Sequence, residues 1–157
     1  MAYPTCPALS ADIETAAKRI NQPLHSGKIY ACVEGPRLGT RAESFFLRDA
    51  ARADLVGMTN VPEVVLAREA QIAYATLCLV TDYDCWMDDP AQHVSVEKFF
   101  EVYAGALDKA KAVLAELLKA PFTDTPDDIR ASLKAAILTP DEAITPQQKE
   151  WLDVLRA

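Results

Sequence analysis

The chain has 157 residues, of which 50% are hydrophobic and 25% are charged, a composition typical of one soluble globular domain with a hydrophobic core. Its net charge of -7 argues against binding of nucleic acid or anionic membranes, because such proteins use basic surface to neutralise phosphate groups. Four widely spaced cysteines form neither a CxxC metal motif nor a disulfide framework, and the sequence shows no signal peptide and no membrane-spanning run. We therefore expect a cytoplasmic protein with reduced thiols that binds a small ligand.

The predicted elements of the first half alternate between helices and strands. In chain order they are a helix over residues 10–21, a strand over 28–33, a helix over 41–52, a strand over 54–58, a helix over 63–70 and a strand over 75–80. Hydrophobic periodicity and the positions of Gly and Pro define these segments. Strands that alternate with helices across short connections predict an α/β sheet.

The second half is predicted to be helical. A long amphipathic helix over residues 95–120 is expected to cover the sheet. Two later Thr-Pro pairs, each with the spacing of a capping box, predict helices over 126–137 and 146–156. No Gly-rich linker marks a second independent domain, so residues 122–157 are expected to pack as a helical extension on the domain formed by residues 1–121. The apolar face predicted for the long helix consists of Phe99, Phe100, Tyr103, Leu107, Ala110, Leu114, Leu117 and Leu118.

Two carboxylates stand where the third predicted strand ends. Asp82 and Asp84 follow the apolar run, and ligands of open α/β sheets bind beyond the carboxyl ends of strands. Alternate residues of an extended chain point the same way, so both carboxylates could face one ligand while Tyr83 and Cys85 pack behind them. The same two Asp residues could equally form only a turn or a helix cap. Their position alone leaves these two alternatives open.

Three loops at strand ends carry a further signal. They are residues 34–44 (EGPRLGTRAES), 57–70 (GMTNVPEVVLAREA) and 80–86 (VTDYDCW). In order and spacing these loops resemble the C-terminal half of the trimeric nucleoside phosphorylases, specifically the S-methyl-5'-thioadenosine phosphorylase branch, from about residue 3 to about residue 118. The resemblance implies half of a phosphorylase/hydrolase-like α/β fold, a mixed central sheet flanked by helices, with extra C-terminal helices. It also implies a homotrimer.

The resemblance implies a glycosyl transfer reaction of purine salvage. S-methyl-5'-thioadenosine, or a related purine nucleoside, would react with inorganic phosphate as co-substrate to give free adenine and a sugar 1-phosphate, with no other cofactor and no metal. A purine leaves as an anion unless it is protonated or hydrogen-bonded at N7, so a carboxyl group placed there can supply or share the proton as the glycosidic bond breaks. We predict that Asp82 is this catalytic group.

The resemblance also assigns binding roles to individual residues. Asp82 and Asp84 would read the purine, and they favour adenine because a carboxylate accepts from a 6-amino group but faces a 6-oxo group unfavourably. Met58 would lie under the ribose, and Thr59 would bind phosphate. Leu38 stands where the family usually has an aromatic residue that stacks on the purine. The remaining predicted substrate-binding residues are Gly39, Thr81 and Tyr83.

Most phosphate ligands of the family have no counterpart in this sequence. The family's Gly-rich phosphate loop, its Arg-His pair and a further Thr belong to the N-terminal half. Arg37, Arg41 and His93 lie near the predicted site, although such residues are more often surface groups or carboxylate partners. Three interpretations follow: an enzyme subunit that needs a separate N-terminal half, a purine-binding module without catalysis, or a truncated product that exposes strand edges and apolar surface.

Overall fold

The computed structural model describes residues 1–89 and 95–156 and confirms the α/β class. The helices are α1 (Pro7–Arg19), α2 (Arg41–Phe45), α3 (Asn60–Glu69), α4 (Val96–Leu117), α5 (Asp127–Arg130) and α6 (Pro146–Arg156), and the strands are β1 (Tyr30–Cys32) and β2 (Leu55–Gly57). A π-helical turn, Phe46–Ala50, continues α2, and a 3₁₀ turn, Asp141–Ala143, precedes α6. None of these described helices has the length and apolarity needed to cross a membrane.

The sheet of the described residues is a parallel pair. β1 and β2 run in register from the Tyr30–Leu55 pair to the Cys32–Gly57 pair. Both predicted strands are therefore confirmed in position, although each has only three residues. Of the mixed sheet that the resemblance implies, the described part of the chain forms these two parallel strands, fewer than the three or more that normally give a sheet independent stability.

The prediction of a third strand over residues 75–80 is wrong. These residues have no regular secondary structure, and their backbone N–H and C=O groups form no backbone hydrogen bond with any described residue. A strand needs a neighbouring strand to share its hydrogen-bond ladder. The described part of the chain places none beside this segment, so its strand-like sequence has no partner.

The hydrophobic core lies between α1 and α4. Its buried residues are Ile13, Ala16, Ala17, Val113 and Leu117. Two residues of the unpaired segment, Ala75 and Leu77, pack against this core from one side. The prediction that the long helix covers the sheet is therefore wrong, because α4 packs mainly on α1. Several residues of its predicted apolar face are exposed instead, namely Phe100, Leu114 and Leu118.

The start of α1 differs from the prediction. The helix begins at Pro7, three residues before the predicted start, and Pro7 occupies the first helical position, where its missing N–H removes no helical hydrogen bond. The backbone N–H of the preceding residue, Cys6, donates to the Tyr74 carbonyl at 2.7 Å. Pro7 thus marks the beginning of the helix.

The C-terminal extension follows the prediction only in its second helix. At Thr145 the capping box forms, with Gln148 Oε1 accepting from the Thr145 N–H at 3.0 Å and Thr145 Oγ1 accepting from the Gln148 N–H at 3.3 Å. Thr125 precedes a helix that has no side-chain cap and ends after one turn, so the helix predicted over 126–137 is mostly wrong. A sequence pattern that is compatible with a cap does not by itself produce one.

The extension contacts α3 and the residues after it. Arg68 Nη2 donates to the Asp128 carbonyl at 2.8 Å and to its carboxylate at 3.0 Å. Gln71 Nε2 donates to the Leu155 carbonyl at 2.7 Å, and Ile129 is fully buried.

Candidate functional site

A cavity of about 1270 Å³ lies beside β2, bounded by the π-helical turn, residues 76–84 and the start of α4. It is larger than the roughly 300 to 1,000 Å³ of a typical small-molecule pocket. The predicted site residues in its wall are Met58, Thr59, Thr81, Asp82, Tyr83 and Asp84. The structure thus brings the ends of two predicted strands to one cavity.

Leu38 and Gly39 do not line the cavity. The side chain of Leu38 is 85% exposed, and the loop that carries it is closed on itself by a bidentate ion pair between Arg37 and Glu43, at 2.6 and 2.9 Å. Leu38 therefore lies outside the cavity wall, and its stacking on a purine stays a prediction. Gly39 contacts the residue that follows Asp84, because its carbonyl accepts from the Cys85 thiol at 3.7 Å.

Asp82 and Asp84 organise a tight turn. The Asp84 N–H donates to Asp82 Oδ1 at 2.9 Å, and Thr81 Oγ1 donates to Asp82 Oδ2 at 2.7 Å. Asp84 has a positive φ of 61°, so the chain is not extended here and the expectation based on strand alternation is wrong. The turn alternative is confirmed for the backbone. Both residues nevertheless line the cavity, so the turn does not remove them from the site.

A buried hydroxyl group joins this turn to α2. Ser44 is 3% exposed, and its Oγ donates to Asp84 Oδ2 at 2.7 Å, while the other carboxylate oxygen accepts from the Cys85 N–H at 2.8 Å. α2 is itself fixed at its start, because Thr40 and Glu43 form a complete capping box. The orientation of the Asp84 carboxylate is therefore set by a residue 40 positions away.

Further contacts join the π-helical turn and α2 to the loop that follows the carboxylates. Arg41 forms a bidentate ion pair with Asp88. The Arg48 guanidinium lies 4.6 Å from the centroid of the Trp86 ring and 5.1 Å from that of Phe45, within the range of cation–π contacts. The loop after Trp86 continues into residues 90–94, and the predicted role of His93 therefore lies outside the described residues.

Aromatic side chains form much of the remaining wall. At the start of α4, Phe99 and Tyr103 stack with their ring planes 9° apart and their centroids 6.0 Å apart. Tyr83 meets Trp86 edge to face, with centroids 6.3 Å apart. An apolar, aromatic wall with a few polar groups is typical of a site for a planar organic ligand.

Charges around the site are largely paired. Glu43 has a pKa of about 2, because it accepts hydrogen bonds from Arg37 and from the backbone and side chain of Thr40. Burial, together with the neighbouring Asp84 carboxylate, raises the pKa of the Cys85 thiol, which argues against Cys85 as a nucleophile at neutral pH.

The structure offers few ligands for phosphate. Arg37 and Arg41 are paired with Glu43 and Asp88, so neither supports the alternative of a substitute phosphate site. Thr59 lines the cavity at the start of α3 and makes no side-chain cap bond there. Within residues 1–89 and 95–156, no cluster of His, Cys, Asp or Glu has the geometry to hold a metal ion.

Some cavity residues were not predicted from the sequence to be part of a site. They are Tyr30, Ser44, Arg48, Trp86, Phe99 and Tyr103. Ser44 and Trp86 belong to the loops that carry the family resemblance, so the sequence did contain a signal that could have identified them as site residues. Phe99 and Tyr103 were expected on the apolar face of a covering helix, a role that spacing does not distinguish from lining a cavity.

The chain is similar to known proteins over most of its length. The model of the phosphorylase superfamily matches residues 1–119. An S-methyl-5'-thioadenosine phosphorylase from Geobacter sulfurreducens is 37% identical over 154 residues, which are 98% of this chain and 53% of the relative. The corresponding protein from Saccharolobus solfataricus is 44% identical over 119 residues, covering 76% of this chain and 43% of the relative. The chain thus spans about half the length of the curated relatives it matches.

Solved structures show the same relationship. A methylthioadenosine phosphorylase from an antarctic soil metagenomic library superimposes with a TM-score of 0.83 at 36% identity, covering 99% of this chain and 55% of that one. Methylthioadenosine phosphorylase from Schistosoma mansoni, solved in complex with adenine, gives a TM-score of 0.71 at 30% identity, with 85% and 52% of the two chains covered.

Proposed function

Because this chain belongs to the phosphorylase superfamily, we propose that it forms the purine-recognising half of an S-methyl-5'-thioadenosine phosphorylase. The reaction exchanges the purine for phosphate at the anomeric carbon of the sugar and releases adenine. The observation that carries the proposal is the position of Asp82 and Asp84 in the wall of one cavity with Met58 and Thr59. The identity to relatives of that name, 37% over almost the whole chain in the Geobacter protein, supports the same substrate.

In the proposed mechanism the chain recognises the base and assists its departure. Asp82 supplies or shares a proton at N7 as the glycosidic bond breaks, and the carboxylates of Asp82 and Asp84 both favour a 6-amino group, which donates to them, over a 6-oxo group. The sugar passes through an oxocarbenium-like state, which the phosphate dianion stabilises and then captures. Met58 lies beneath the ribose, and Thr59 contacts the phosphate. Leu38 and Gly39 contribute to the base pocket only after a shift of their loop.

We further propose that a complementary half supplies the remaining phosphate ligands. The chain spans 53% of the Geobacter relative, and Arg37, Arg41 and the cavity-lining Arg48 are already paired with carboxylates. The unpaired segment over 75–80 supports this arrangement, since unsatisfied backbone groups beside apolar side chains are a template for strand addition. Val80 in this segment and Val56 in β2 are both exposed, at 57% and 42%.

Location, domain organisation and assembly follow from the same proposal. All four cysteines are free, which favours a reducing compartment such as the cytoplasm. Contacts of the C-terminal extension with α3 support its assignment to the same domain as residues 1–121. The resemblance suggests a trimer of the completed enzyme.

A phosphorolysis assay tests the proposal. Release of adenine from S-methyl-5'-thioadenosine and phosphate would be measured for the chain alone and for the chain co-expressed with the half of the Geobacter relative that has no counterpart here. We expect activity only from the combination. Absence of activity in both samples, while the full-length Geobacter enzyme is active in the same assay, would contradict the proposal.

A purine-binding module without catalysis is the second candidate. The pairing of Arg37 and Arg41 with carboxylates favours it, because it leaves the chain with little to hold phosphate. Calorimetry with adenine distinguishes this module from the phosphorylase half. Adenine binding by a completed assembly that shows no turnover would support the purine-binding module. A truncated product without a function of its own would bind neither adenine nor the complementary half.

A further inference from the structure

Asp84 combines an uncommon backbone conformation with a carboxylate that one side chain from another element restrains. Its φ of 61° lies in the left-handed region, which residues other than Gly adopt at some energetic cost and which surrounding contacts must maintain. One carboxylate oxygen accepts from the N–H of the next residue, Cys85, which the turn itself provides. The other oxygen accepts from Ser44 Oγ, the one hydrogen bond from another element that this carboxylate makes within residues 1–89 and 95–156.

Ser44 is well placed to restrain this carboxylate. It is buried, lies in the interior of α2, and is preceded by the capping box that Thr40 and Glu43 form, so its own position is fixed before any ligand arrives. An ionised carboxylate is an acceptor only, so the Ser44 hydroxyl must direct its proton towards Asp84. A hydrogen bond to a charged group is about twice as strong as one between neutral groups. The distance from Ser44 Oγ to Asp84 Oδ2 is 2.7 Å.

We infer that Ser44 is a positioning residue that sets the preference for 6-amino over 6-oxo purines by fixing the orientation of the Asp84 carboxylate. The inference rests on the proposed function and extends it to a residue that does not itself read the base. Without Ser44 the carboxylate loses its one restraint outside the turn and rotates among several orientations. Its acceptor oxygens then no longer meet the 6-amino group in a single geometry, and discrimination falls.

The test compares Ser44→Ala with Ser44→Thr, which keeps the hydroxyl, and with Ser132→Ala. Ser132 is a matched control, because it is partly buried and its Oγ donates to the Arg68 carbonyl at 3.0 Å, away from the cavity. The readouts are the ratio of kcat/KM for S-methyl-5'-thioadenosine to that for inosine in the completed enzyme, and the ratio of the Kd for hypoxanthine to the Kd for adenine by calorimetry. We expect Ser44→Ala to lower both ratios about tenfold, the lower end of the effect of losing one hydrogen bond to a charged group. Ser44→Thr and Ser132→Ala should leave them within about twofold.

A double-mutant cycle separates positioning from a general structural effect. In an Asp84→Asn background, Ser44→Ala should change the selectivity ratio no further, because its effect passes through the Asp84 carboxylate. A purely structural defect would lower the thermal stability and reduce the rates for both substrates equally, leaving the ratio unchanged. If Ser44→Ala does not fold, Ser44→Cys takes its place, because a thiol is a weaker donor and should shift the ratio in the same direction.

The outcomes distinguish this inference from the proposed function. An unchanged ratio in Ser44→Ala, in a wild-type assembly that turns over S-methyl-5'-thioadenosine, overturns the role of Ser44 alone. A shifted Kd ratio without turnover supports the role of Ser44 and contradicts the proposed phosphorolysis. A wild-type chain that binds neither base, with or without the complementary half, overturns both.

Discussion

The Asp82→Asn substitution separates the structural role of this carboxylate in the turn from its proposed role in recognising the base. In the turn, Asp82 accepts from the Asp84 N–H at 2.9 Å and from Thr81 Oγ1 at 2.7 Å. The Asn carbonyl oxygen can keep the first bond, and the Thr81 hydroxyl can reverse to accept from the Asn amide. We therefore expect Asp82→Asn to change the free energy of unfolding by no more than about 1 kcal/mol.

The effect of Asp82→Asn on recognition of the base should be much larger than its effect on stability. The amide presents a donor or a neutral acceptor where the carboxylate presented a charged acceptor, so a charge-assisted hydrogen bond worth about 1.5 to 3 kcal/mol is lost for a 6-amino purine. This corresponds to a fall of about 10- to 150-fold in the selectivity for S-methyl-5'-thioadenosine over inosine. The assay is the ratio of kcat/KM in the completed enzyme, with Asp108→Asn, on the exposed surface of α4, as the matched control. An unchanged ratio in a stably folded variant would remove Asp82 from base recognition.

Three further predictions concern stability and can be tested by urea unfolding of this chain. Gly57→Ala places a Cβ in steric overlap with the Tyr30 hydroxyl and ring, so we expect a loss of about 1 to 3 kcal/mol in the free energy of unfolding, and unchanged stability would refute this packing. The pKa of Glu43, lowered from an ordinary 4.5 to about 2 by Arg37 above all, implies a stabilising contribution that is complete above pH 4.5 and is lost as the pH falls from 4.5 to 2. Glu43→Gln should flatten this part of the pH profile, and an equally steep acid loss in the variant would contradict the assignment. Val113→Ala removes two buried methyl groups from the core and should cost about 2 kcal/mol, whereas a loss below about 0.5 kcal/mol would show that the α1–α4 contact is loose.

The parts of the fold that local sequence determines could be predicted. Strands β1 and β2 and the helices that begin at Thr40, Ser95 and Thr145 all depend on signals within a few residues, such as a cap or an apolar alternation. The grouping of Asp82 with Met58 in one cavity could also be predicted, because both follow segments of strand-like sequence in a recognisable family.

The remaining features depend on residues far apart in the chain. An apolar run such as 75–80 favours a strand, but whether it forms a ladder depends on a neighbour that the described part of the chain does not supply. The contact between Ser44 and Asp84 joins two elements, and nothing in either local sequence predicts it. On α4 several apolar stripes are possible, and only packing against α1 selects Val113 as the most deeply buried position.

The cation–π contact at the cavity also provides a spectroscopic probe. The chain has two tryptophans, of which Trp86 lies against Arg48 in the cavity wall and Trp151 is 54% exposed on α6. In a Trp151→Phe variant the indole emission would come from the cavity alone, whereas far-ultraviolet circular dichroism would follow the helices of the core. Loss of order at the site could then be followed separately from loss of the helical core, and adenine binding could be detected by fluorescence without any turnover.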